Sequence, residues 1–272
     1  MRAAMSASAF THTHVPMDLP RIIAHRGASA VAPENTLAAF RAAADAGARW
    51  VEFDVSLTSD GRPVVFHDDR LDRTSDGTGL LAETSFETLK HLDAGSWFGA
   101  GFAGEMIPTL EEVLETLAAL GLGFNMEIKP DRGREEETAH VALAATAADW
   151  PQNAVPPLIS SFSRGAVAVA RDEQPQWPRS LLFDSRPLDW REIGVELKLS
   201  AFGGNQQHLD GSQVAEIKAA GYRLTAYTVN TPERASLLFG WGVDGIFTDT
   251  PGTMVPLFGK SGCEKSGASR GQ

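Results

Sequence analysis

Apolar and polar residues alternate in two short stretches, Trp50-Val51-Glu52-Phe53-Asp54-Val55 and Phe124-Asn125-Met126-Glu127-Ile128-Lys129. Successive side chains of a strand point to opposite faces. Val51, Phe53 and Val55 therefore share one face of the first stretch, and Glu52 and Asp54 share the other. In the second, Phe124, Met126 and Ile128 oppose Asn125, Glu127 and Lys129. Short apolar runs of this kind predict strands over 22–25, 50–57, 123–129, 157–162, 180–183, 197–202, 223–229 and 244–248. Helical patterns lie between them, over 35–46, 110–120, 135–148, 164–171, 188–193, 211–220 and 232–239. Strand and helix alternating along a whole chain mean a mostly parallel sheet. Eight such repeats predict a closed (β/α)8 barrel of the TIM type within one domain, 21–258.

Local signals agree with these elements. Thr109 and Glu112 have capping-box spacing at the start of one helix, and Gly121 suits its C-terminal end. Pro33-Glu34-Asn35-Thr36 reads as another helix start, with a proline and an acid in the first turn. One segment breaks the alternation. Asp60-Gly61 between two strand patterns signals a hairpin. A two-residue loop sets Ser59 opposite Arg62 and brings His67 opposite Asp54; a longer loop shifts that register by one residue. The stretch over 68–108, rich in Gly, Asp, Ser and Thr, reads as an insertion over the barrel mouth with a short helix near 85–91. Residues 1–20 and 259–272 read as a disordered leader and tail.

Composition narrows the partners. The chain has 272 residues and a net charge of -11, so no basic field would attract nucleic acid or anionic lipid. A bound cation can reverse the sign locally for a small anionic substrate. The single cysteine, Cys263, lies in the tail, which leaves no thiolate metal site and no disulfide. His12 and His14 read as leader residues rather than a metal pair. No run reaches membrane-spanning length and no signal-peptide pattern is present, so the expected location is cytoplasmic, without stable membrane anchoring. The oligomeric state stays open.

Barrel enzymes work at the C-terminal ends of their strands. His25, Arg26, Glu52, Asp54, His67, Glu127 and Lys129 all fall at that end, with Tyr227 on the strand over 223–229 and Phe162 ending the one over 157–162. Carboxylates on an interior face are costly unless paired or bound to a cation. Glu52, Asp54 and Glu127, with no thiolate nearby, suit one hard divalent cation, Mg²⁺ or Ca²⁺. Arg26 offers a planar fork for phosphate oxygens and Lys129 a second positive charge. His25 and His67 suit a general acid and base.

These residues resemble a known family. His25-Arg26-Gly27, Pro33-Glu34-Asn35-Thr36, Glu52-Phe53-Asp54-Val55, His67-Asp68, Arg73-Thr74, 107–113, Glu127-Ile128-Lys129, Thr228-Val229-Asn230 and 242–249 look like the glycerophosphodiester phosphodiesterases, most of all the bacterial cytosolic type. The resemblance runs in order over about 21–251. It implies metal-dependent hydrolysis of small glycerophosphodiesters, such as glycerophosphocholine or glycerophosphoethanolamine, to sn-glycerol 3-phosphate and an alcohol. It also implies His25 and His67 as the acid–base pair, Glu52, Asp54 and Glu127 as metal ligands, and Arg26 and Lys129 as phosphate-binding residues. Tyr227 and Phe162 would line the substrate pocket. Tyr227 stands where this family often has Trp. A barrel phospholipase acting on lysophospholipid or phosphoinositide would share the chemistry. A non-catalytic phosphodiester-binding protein would be expected to lack one of these histidines or carboxylates, and all are present.

Overall fold

The computed structural model describes residue 15 and residues 17–259. His12, His14, Cys263 and most of the expected leader and tail lie outside the described residues. The chain runs β1 (Ile22–His25), α1 (Leu37–Asp45), β2 (Trp50–Leu57), β3 (Pro63–Val65), α2 (Phe86–Leu89), α3 (Leu110–Leu120) and β4 (Gly123–Ile128). It continues through α4 (Glu135–Asp149), β5 (Leu158–Ser161), α5 (Arg164–Glu173), β6 (Arg179–Phe183), α6 (Trp190–Glu196) and β7 (Ala201–Asn205). It ends with α7 (Gly211–Ala219), β8 (Arg223–Tyr227), α8 (Pro232–Trp241), β9 (Gly245–Thr248) and α9 (Pro251–Phe258). Eight parallel strands close into a barrel in the order β1-β9-β8-β7-β6-β5-β4-β2, with β2 returning to β1, while β3 pairs antiparallel with β2 outside the ring. This is the expected (β/α)8 barrel.

The alternation in β2 and β4 has the expected consequence. Val51, Phe53, Val55, Phe124, Met126 and Ile128 face outward into a shared core with Phe40, Val113, Leu117 and Leu143 of the surrounding helices. A second outer core joins β6 to β9 with α6 to α9. Inside the barrel, Ile23, Trp50, Leu158 and Phe247 form an apolar floor. Met17 and Leu19 pack against that floor, so residues 17–20 belong to the barrel rather than to a loose leader. Their apolar surface is removed from water there, and Gly245 leaves room for the backbone of Pro20.

Three expectations need correction. The hairpin has a three-residue turn. Val55 faces Val65, Thr58 donates its N–H to Arg62, and Gly61 takes φ +77°, a conformation that favours glycine. Phe66, not His67, therefore bonds to Asp54 across the strands, its N–H donating to the Asp54 carbonyl at 3.0 Å. A slip of one residue would turn His67 to the other face. It reaches the mouth because regular pairing stops at Val65, where Phe66 turns into the insertion's own small core with Leu71, Leu81 and Leu89. Second, α1 starts at Leu37 with Thr36 as its N-cap, so Glu34 and Asn35 precede the helix. Third, the strand expected over 197–202 lies at Ala201–Asn205, because α6 runs on to Glu196. Its Gly203 and Gly204 hid it from pattern reading, since Leu182 and Phe183 fill the space where their side chains would stand. The last repeat is closed by α9, over a stretch that the sequence patterns assigned to no element.

Candidate active site

Strand register brings the acidic residues together. Asp54 pairs with Glu127 across β2 and β4, and His25 pairs with Glu52 across β1 and β2. Glu52, Asp54 and Glu127 each offer a carboxylate oxygen within 4.8 Å of the others, a set able to hold one metal ion. Glu52 and Asp54 are only 3% and 1% exposed. Burial pushes the Glu52 carboxyl well above the usual carboxylate range, and the charges of Asp54 and Glu127 push it further. Burial and Asp54 raise Glu127 to about 8. Asp54 goes the other way. Burial alone would raise it, but Arg26, His67, Lys129 and a bond from Asn35 together hold it below its ordinary value. Three crowded carboxylates, two of them buried, match the oxygen donor set of a hard divalent cation.

The cations stand beside them. Arg26 directly follows β1 in a left-handed conformation, φ +55°, and the next residue, Gly27, packs its bare Cα against the backbone of Ala39. Its N–H donates to Glu52 Oε2 at 2.9 Å, its Nη1 donates to Glu34 Oε1 at 2.8 Å, and its Nε lies 3.2 Å from Asp54 Oδ2. Lys129 follows β4, its Nζ 3.7 Å from Glu127 Oε1. Asn35, also at positive φ, donates its Nδ2 to Asp54 Oδ2 at 2.8 Å and fixes that carboxylate.

Both histidines are tied to carboxylates through Nδ1. His25 Nδ1 donates to Asp249 Oδ1 at 2.7 Å. Asp249 follows β9 and accepts from Ser29 Oγ at 2.9 Å and Asn230 Nδ2 at 2.6 Å. Burial opposes its charge, but the His25 bond and these neutral donors bring the carboxyl down to about 2, so Nδ1 carries the proton. His67 Nδ1 donates to Asp68 Oδ1 at 2.6 Å. Arg73 bonds hold Asp68 well below the usual carboxylate range, with His67 adding to the effect. The His67 imidazole itself is lowered by burial, with the charges of Arg26 and Lys129 adding and that of Asp54 opposing. Among the described residues, Nε2 is the nitrogen left open in each ring.

His25, Arg26, Glu52, His67, Glu127 and Lys129 converge on one pocket of about 150 Å³. Phe162, Leu182, Tyr227 and Phe247 form its less polar walls. The rings of Phe162 and Tyr227 meet edge to face at 5.8 Å. Tyr227 donates its hydroxyl to the Phe183 carbonyl at 2.8 Å, so it serves as a fixed wall. Asn125 also lines the pocket; its Nδ2 donates to Ser160 Oγ at 2.9 Å, and its buried Oδ1 has no partner among the described residues. Pattern reading put Asn125 on the same face as Glu127 and Lys129 but gave it no role. Glu34 and Asn35 were read as a helix start. Asp68 and Asp249 were quoted only within motifs, although an acid directly after a histidine or a buried strand was the available signal.

Comparison with known proteins decides the family. The model of the glycerophosphoryl diester phosphodiesterase family matches residues 25–253. The chain belongs to that family. A glycerophosphodiester phosphodiesterase of Caldanaerobacter subterraneus subsp. tengcongensis is 35% identical over 245 residues, covering 89% of this chain and 98% of the relative. The human glycerophosphodiester phosphodiesterase 1 is 33% identical over 253 residues, covering 81% of this chain and 75% of the relative. A phosphodiesterase of Oleispira antarctica, solved in complex with the product sn-glycerol-3-phosphate, is 43% identical with a TM-score of 0.85, covering 88% of this chain and 96% of that one. The chain is thus an enzyme of the glycerophosphodiester phosphodiesterase class, as the sequence resemblance implied. Among the described residues no helix is long and apolar enough to cross a membrane.

Proposed function

We propose that the pocket hydrolyses small glycerophosphodiesters, such as glycerophosphocholine and glycerophosphoethanolamine, to sn-glycerol 3-phosphate and an alcohol, with His25 and His67 as the proton-transfer pair. The observation that carries the reading is the convergence of two histidines, each with Nδ1 held by a carboxylate, on one pocket with two cations and three carboxylates. The Oleispira relative's complex with sn-glycerol-3-phosphate supports the product.

In this reading Glu52, Asp54 and Glu127 hold one Mg²⁺ or Ca²⁺. When bound, the ion offsets their mutual repulsion and acts as a Lewis acid toward a phosphoryl oxygen. Arg26 and Lys129 bind the phosphate, where charge develops in the transition state. The glycerol moiety takes the side of Tyr227, Phe162 and Asn125, whose open Oδ1 accepts a hydrogen bond from a glycerol hydroxyl. His25 Nε2 removes the proton of the glycerol 2-hydroxyl as its oxygen attacks phosphorus. The bond from phosphorus to the alcohol oxygen breaks, and His67 Nε2 delivers a proton to that oxygen. Water then opens the cyclic phosphate with the two roles exchanged.

The test is a steady-state assay on glycerophosphodiesters with different head groups, after chelation and after return of Mg²⁺ or Ca²⁺. Activity should disappear with chelator and return with the ion. Glu127→Gln should lose most activity and also the rise in Tm that the ion produces in the wild type. Full turnover in excess chelator would overturn the metal part of the reading, and no hydrolysis of any glycerophosphodiester would overturn the substrate class.

A further inference from the structure

Arg73 lies outside the pocket and its side chain is 46% exposed, yet it reaches both ends of the site. Its Nε and Nη2 donate to Asp68 Oδ2 and Oδ1 at 2.6 and 2.8 Å. Its Nη1 and Nη2 donate to Glu34 Oε2 and Oε1 at 2.8 and 2.7 Å. One planar guanidinium thus clamps two carboxylates, which a lysine ammonium cannot do. Each carboxylate passes the constraint on. Asp68 Oδ1 also accepts from His67 Nδ1, and Glu34 Oε1 also accepts from Arg26 Nη1.

We propose that Arg73 is a positioning residue of the reaction: carried by the insertion, it holds the leaving-group histidine and the phosphate-binding arginine in one fixed geometry through Asp68 and Glu34. This rests on the roles given above to His67 and Arg26. The insertion has an apolar core of its own that does not include Arg73. Leu71, Leu81 and Leu89 form its core, and the turn that carries Arg73 is closed by Ser75 Oγ donating to the Leu71 carbonyl at 2.7 Å. An exposed ion pair by itself adds little stability. A fork held on two loops acts instead on alignment, and a misplacement of about 1 Å near the chemistry costs on the order of 10²-fold in rate.

The experiment compares two esters of glycerol 3-phosphate, the ethanolamine ester and the p-nitrophenyl ester, whose leaving group needs little protonation. Thermal unfolding of each variant is recorded, and rates are taken well below its Tm. Arg73→Gln should lower kcat/KM on the ethanolamine ester by about 100-fold and on the p-nitrophenyl ester by only about 10-fold, and Arg73→Lys should behave alike. Asp68→Asn should show the leaving-group-dependent part of this loss and Glu34→Gln the part common to both esters. Equal losses on the two esters in Arg73→Gln, or rates within twofold of the wild type, would overturn the proposal. Full activity in Arg73→Lys would overturn it too, since charge alone would then suffice. His67→Ala on the same esters separates the two claims. Rescue by p-nitrophenol there, with none in Arg73→Gln, overturns the positioning role alone. No rescue in either overturns the assignment of His67 and the proposal with it.

Discussion

The two histidine–carboxylate pairs of this site differ in what holds the carboxylate. Asp249, behind His25, is held by a serine hydroxyl and an asparagine amide, both neutral. Asp68, behind His67, is held by the guanidinium of Arg73 at both oxygens. A carboxylate with neutral donors keeps its full charge for the ring it supports. One already paired with a guanidinium has less to offer. Asp68 therefore does less to hold a proton on His67 than an unpaired carboxylate would. The proposed reaction asks His25 to take up a proton and His67 to release one, and the difference between the two carboxylates agrees with that division. The difference also follows the fold. The His25 pair joins the first and last barrel strands, part of the closed ring. The His67 pair sits on the hairpin and insertion, outside it.

The strongest way to break this comparison is to remove the rings. His25→Ala and His67→Ala should each lower kcat on an alkyl diester by about 10²–10⁴-fold. The two losses should be far from additive if both rings act in one transition state. On a p-nitrophenyl ester the His67→Ala loss should largely vanish and the His25→Ala loss should stay. The reverse pattern would exchange the roles.

A smaller effect sharpens it. Asp249→Asn removes the carboxylate charge that holds His25 Nδ1 and frees its tautomer, so kcat should fall by about 10²-fold or more. Asp68→Asn, whose carboxylate is already neutralised, should cost only about 10-fold. Equal losses in the two variants would mean that the environments of the carboxylates do not differ in effect.

The smallest effect is on stability against pH. Asp249 is held down to about 2, below its unfolded value of about 3.9. Its contribution is complete above about pH 4 and is lost as pH falls through about 2. The Tm gap between wild type and Asp249→Asn should therefore narrow as pH is lowered from about 5 to about 2. The gap for Asp68→Asn should persist further into acid, because the bonds from Arg73 hold that carboxyl lower. Gaps that narrow together would remove the distinction.

Alternation along Trp50–Leu57 and Gly123–Ile128 was enough to place Glu52, Asp54 and Glu127 on one interior face, because a strand's period of two is a local property. The capping box at Thr109 and Glu112 and the left-handed Gly121 were legible for the same reason, since each acts within one helical turn. Repetition of strand and helix then implied the barrel, and the barrel put the strand ends on one mouth.

Tertiary structure decided the rest. Hairpin register hung on whether Asp60-Gly61 turned in two residues or three, a choice of backbone conformation that pattern does not resolve. The strand through Gly203 and Gly204 could not be read from its own residues, because the side chains that fill it belong to the neighbouring Leu182 and Phe183. The partner of His25 stands 224 residues away at Asp249, brought near only when β9 closes onto β1. Glu34 and Arg73, 39 residues apart, meet only when the insertion folds over the loop after β1. Periodicity reports which face a side chain takes. Which charges meet there depends on closing the ring and packing the insertion, where the free energy of burial and the geometry of hydrogen bonds join segments that carry no mark of each other in the chain.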